Sequence, residues 1–122
     1  MNAVSNDLRR NTRAPIAVCA WIDFRGETKS RGMTSVDLSV DGARFISMRP
    51  VTEGDLLIIR LQLHAAGEPV ECKARVSWNK RLPSGLHQFA VRFLDLCDDE
   101  RDEIQALVDG YFTRGLVFSL AV

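Results

Sequence analysis

The sequence predicts an all-β architecture in the main, a six-stranded antiparallel barrel with one carboxyl-terminal α-helix, and three observations predict it. Six short segments alternate apolar and polar residues between Gly, Pro and Ser turn signals. A later segment switches to the helical interval. With 122 residues and 46% hydrophobic content the chain suits one buried core, and closing so many strands into a barrel hides their edges.

Residues 1–15 are polar, end in Arg13-Ala14-Pro15, and read as a flexible arm, because proline keeps the residue before it extended. The first strand is expected over Ile16–Phe24, where Ile16, Val18, Ala20, Ile22 and Phe24 share a face. A turn at Gly26 leads to a second strand near Arg31–Asp37. After a Ser39–Gly42 turn a third covers Ala43–Ser47, and Pro50–Gly54 breaks it. The fourth, Asp55–Leu63, lines up Leu57, Ile59, Leu61 and Leu63. The fifth, Val70–Trp78, alternates almost perfectly: Val70, Cys72, Ala74, Val76 and Trp78 against Glu71, Lys73, Arg75 and Ser77. The sixth, Leu86–Leu94, places Phe89, Val91 and Phe93 together.

The helix is read from Ile104, Leu107, Val108, Tyr111 and Phe112 at helical spacing. Asp98 or Asp99 is expected to cap its acidic first turn, and Arg114-Gly115 to end it. The domain is thus expected over residues 16–115. The apolar tail 116–122 is expected to pack back on the barrel or to form a contact, including a homodimer contact.

Composition narrows the function. Lys+Arg and Asp+Glu balance at 16 each, so any anion site is local rather than a basic face, and duplex DNA is not an expected partner. Cys19, Cys72 and Cys97 lack zinc or redox spacing and read as reduced structural thiols. No stretch reaches the ~18 apolar residues of a membrane span, and the start lacks the apolar core of a secretory signal, so the expected compartment is the cytoplasm. His64 and His87 sit in no catalytic motif, and neither a nucleophile elbow nor a phosphate loop is present; a non-catalytic protein without metal or cofactor is expected.

Two stretches carry the functional signal. Arg9-Arg10-Asn11-Thr12-Arg13 reads RxxxR, and Asp37-Leu38-Ser39-Val40-Asp41-Gly42, about two dozen residues later, reads DxSxxG. In this order and spacing, with the flanking strands and the Phe89-Ala90-Val91-Arg92-Phe93 segment, the chain resembles the PilZ domain family from about Leu8 through the helix. The resemblance implies a PilZ-type barrel and a receptor for cyclic di-GMP, with Arg9 and Arg13 as ligand-binding residues and Arg10 as a helper.

The chemistry of these residues agrees. An arginine fork grips guanine O6 and N7 or a phosphate, and lies flat on a purine. Asp37 can accept from guanine N1 and N2, with Ser39 donating or accepting nearby. Gly42 is expected to allow a positive φ and close backbone approach. An Asx turn between two strands also accounts for Asp37 and Ser39, and both roles are compatible. Arg44, just past the glycine, is read as a strand decoration, with a ligand-facing role as the alternative. Trp78 ends its strand on the apolar face and reads as core, or else as a guanine-stacking platform of the kind some PilZ domains carry. The expected mechanism is an arm that folds over the ligand and alters a surface read by a downstream protein. The alternative is a PilZ-like interaction adaptor that binds no nucleotide; retention of both motifs argues against it.

Overall fold

The computed structural model describes residues 12–121, with side chains described through Arg114; Arg9 and Arg10 lie outside the described residues. Six strands form: β1 Cys19–Asp23, β2 Arg31–Leu38, β3 Gly42–Ser47, β4 Leu56–Gln62, β5 Val70–Arg81 and β6 His87–Phe93, followed by α1 Asp98–Ala121. All pairings are antiparallel, in the order β1-β2-β3-β6-β5-β4, and β1 pairs with β4 to close the barrel. Closure leaves no long edge unpaired, as expected for so short an all-β unit.

Alternation fills the interior. Ala20, Ile22, Leu57, Ile59, Leu61, Cys72, Ala74, Val76, Phe89 and Val91 point inward and are all buried. Phe89 packs on Phe45 with ring centroids 5.6 Å apart and meets Phe24 edge-on at 6.3 Å. Burial, with the nearby charges of Asp95, Glu100 and Glu71, pushes the Cys72 thiol up to about 12, so it stays protonated at neutral pH and behaves as a small apolar side chain. Among the described residues no cluster of His, Cys, Asp and Glu is placed to hold a metal, and no helix is long and apolar enough to cross a membrane.

Several boundaries differ from the sequence reading. The first strand is shorter than Ile16–Phe24, because Val18 donates its backbone N–H to the Ser35 hydroxyl at 2.9 Å instead of joining a ladder. The chain is anchored earlier than residue 16: Ala14 is fully buried and exchanges two 2.9 Å backbone hydrogen bonds with Leu38. The first turn of α1 is closed not by Asp98 or Asp99 but by Glu100, whose carboxylate accepts the Cys97 backbone N–H at 3.0 Å. Nor does the helix stop at Gly115; it continues to Ala121, so residues 116–121 extend the helix. Ile104 and Val108, buried, seat α1 on the barrel.

Candidate functional site

Two irregularities in the sheet build the site. Ser35 pairs with Phe45 and Asp37 with Arg44, so the β2–β3 register shifts between them. In the same way, Val76 pairs with Val91 and Trp78 with Ala90, a shift between β5 and β6. A bulge inserts one extra residue and reverses the side-chain phase beyond it. Ser35 and Val76 face the core; Asp37 and Trp78, two residues on, face out.

The outward residues form one row. Asp37 lies opposite Arg44, Arg44 opposite Ala90, and Ala90 opposite Trp78. The row therefore crosses β2, β3, β6 and β5, a carboxylate at one end and an indole at the other, with a guanidinium and a small fully buried alanine between them. Three strand spacings make its span about 14 Å. Trp78 is half-buried rather than core, which corrects the face that simple alternation assigns it.

Arg13 enters from the arm. The Ala14–Leu38 bridge brings the arm alongside the end of β2, and Arg13 Nη1 donates to Asp37 Oδ1 at 3.2 Å. Arg44 pairs with the other oxygen, Oδ2, through Nε and Nη2. The Asp37 side chain is only 6% exposed, whereas Arg13 and Arg44 are 40% and 36% exposed. A buried carboxylate thus holds two guanidinium groups whose outer faces remain open to solvent.

Ser39 and Gly42 serve the turn between β2 and β3. The buried Ser39 hydroxyl accepts the N–H groups of Asp41 and Gly42, each at 3.2 Å, and donates to the Gly42 carbonyl at 3.3 Å. Ser39 thus makes the turn the motif leads one to expect, but Asp37 does not share in it, because its carboxylate is held by Arg13 and Arg44. Gly42 differs from expectation: its φ is not positive, and its need for glycine is a close approach to β6. A Cβ there would fall inside the Val91 carbonyl oxygen and lie 3.1 Å from the carbonyl carbon.

Sequence reasoning undervalued two arginines. Arg44 could have been found from the hairpin itself, since a turn of Ser39–Gly42 pairs residue 38 with 43 and 37 with 44. Arg92 faces outward on β6, opposite Gly42 and Arg75. With Arg13, Asp41, Ser77 and Val91 it lines a depression of about 250 Å³ beside the row. Nothing in a period-2 pattern separates such an arginine from a solvated one.

The architecture has solved counterparts. It is similar to the Bacillus subtilis inhibitor of motility (MotI/DgrA), with a TM-score of 0.66 at 16% identity over 85% of this chain and 49% of that one. It is similar to the PilZ domain of YcgR from Escherichia coli, solved with c-di-GMP: TM-score 0.65, 13% identity, 91% of this chain and 96% of that one. A tetrameric PilZ domain from Xanthomonas campestris, self-assembled through a helical bundle, gives a TM-score of 0.57 at 20% identity over 75% of this chain and 54% of that one. The chain spans about half the length of the Bacillus protein. No curated protein matches it. The PilZ domain family model matches residues 7–110, which include both motifs, every strand and most of the helix, and the chain therefore belongs to the PilZ domain family.

Proposed function

We propose that this chain is a non-catalytic receptor for cyclic di-GMP, acting in the bacterial cytoplasm, with Arg9, Arg10, Arg13, Asp37, Ser39, Gly42 and Trp78 as its ligand site. The observation that carries the reading is the shared carboxylate: Asp37, buried at the end of the outward row, holds Arg13 and Arg44 together. Membership of a family in which a YcgR domain was solved with c-di-GMP supports this ligand class.

The proposed chemistry is an exchange of partners. Guanine N1 and N2 donors take the Asp37 carboxylate, while the released guanidinium groups turn to guanine O6 and N7 or to the diester phosphates. No buried charge is left unpaired during the exchange, which keeps its cost low. Trp78, at the far end of the row, offers a base-stacking surface contributing about 1–3 kcal/mol. Arg9 and Arg10 close over the ligand from the arm, with the Ala14–Leu38 bridge as the pivot. That closure alters the surface presented to a downstream protein, and a helical homodimer contact through α1 is compatible with it.

Titration calorimetry on the wild type and on Arg9→Ala, Arg13→Ala and Asp37→Ala tests the site. At a micromolar dissociation constant total binding is about 8 kcal/mol, and losing one charge-assisted contact of about 1.5–3 kcal/mol weakens it roughly ten- to hundredfold. Equal affinity in all three variants would remove the site. An amide spectrum unshifted by saturating ligand would favour the adaptor reading instead.

A further inference from the structure

Arg92 occupies an unfavourable position for a strand residue. It lies directly opposite Arg75 across β5 and β6, and like charges so placed repel. Arg75 is partly accommodated, donating to the Gly54 carbonyl at 3.1 Å. Among the described residues no carboxylate pairs with Arg92. Its neighbour across β3 is Gly42, which has no side chain to cover it.

The surroundings are those of an anion seat. The depression of about 250 Å³ places Arg92 and Arg13 on one concavity with Ser77, whose hydroxyl donates to the Ala90 carbonyl at 3.3 Å and retains acceptor and rotational freedom. Asp41, the one carboxylate on the rim among the described residues, is countered by Arg101 at 3.7 Å. Arg92 stands two residues along β6 from Ala90, about 7 Å from the row that ends in Asp37. A guanine edge and a diester phosphate of one cyclic dinucleotide are separated by a distance of this order.

Resting on the receptor reading, we infer that Arg92 is a phosphate-binding residue of this site, one that neither arginine motif nor turn motif contains. Its diester anion sits between Arg92 and Arg13, and relieves the repulsion with Arg75. Binding and stability therefore separate at this residue. A purely structural arginine would lose both together.

The test compares wild type, Arg92→Gln and Arg92→Lys by calorimetry with cyclic di-GMP and by thermal melting. Arg92→Gln is expected to bind about tenfold more weakly with a melting temperature unchanged or raised, and Arg92→Lys to recover most of the affinity. Unchanged affinity in Arg92→Gln, or a fall in affinity matched by a fall in melting temperature, overturns the inference and leaves the receptor reading standing. If the wild type does not bind cyclic di-GMP, the receptor reading falls, and pyrophosphate followed at the arginine Nε–Hε resonances decides: a shift of the signal missing in Arg92→Gln supports an anion seat, and no shift overturns it.

Discussion

At the scale of single residues, two demands meet in Asp37 and Gly42, and neither is met by chance. Burying a carboxylate is costly unless its lone pairs are taken, and Asp37 has a guanidinium on each oxygen. Gly42 lies opposite Arg92, where β3 approaches the Val91 carbonyl too closely for any side chain. The neighbour there is backbone inside a closed ladder, which cannot give way as the end of a flexible side chain would. Gly42→Ala is accordingly expected to lose about 1–3 kcal/mol of stability, at the upper end of that range, read as a lower midpoint in urea. A midpoint equal to that of the wild type would mean that the approach relaxes without cost. The motif's spacing made Asp37, Ser39 and Gly42 legible from sequence, but the reason for the glycine was not. A positive φ and a close contact select the same residue type.

At the scale of elements, apolar alternation carried the sheet wherever the pleat is regular. Val70 through Val76 face as the pattern says, and so do Leu57, Ile59 and Leu61. It failed at Trp78, because a bulge shifts the phase without altering which residue types occur. The same device lets Asp37 face outward two residues after the inward Ser35. The elements that define the site are thus the ones whose irregularity sequence does not display. The helix was legible in its buried stripe and not in its end, since Gly115 lies in a helix that continues to Ala121. Ile104 is fully buried in the core, so Ile104→Ala removes buried methylene groups from the seat of α1. A loss of about 2–5 kcal/mol is expected in chemical denaturation, a large share of the total for a domain of this size. A loss below 0.5 kcal/mol would show that α1 contributes little to holding the barrel.

At the scale of the molecule, the absence of net charge separates two electrostatic effects that usually blur. Lys+Arg and Asp+Glu are equal at 16 each, so the folded state has little overall self-repulsion for salt to relieve, and its exposed ion pairs are individually weak. The outward face around Asp37 is different: Arg13, Arg44, Arg75 and Arg92 gather within a few strands, against Asp37 and the already paired Asp41. Raising the ionic strength from 0.1 M to 1 M shortens the screening length from about 10 Å to about 3 Å. Affinity for cyclic di-GMP is expected to fall roughly tenfold across that range, as contacts of about 1.5–3 kcal/mol each are partly screened. The melting temperature is expected to move little over the same series. Arg13→Gln, with one cation fewer at the concavity, is expected to show a shallower dependence on salt than the wild type. Calorimetric titrations of both proteins at matched salt concentrations give the comparison. An affinity indifferent to salt, beside a melting temperature that follows it, would assign the arginines to holding the fold and leave the anionic diester without its electrostatic partner.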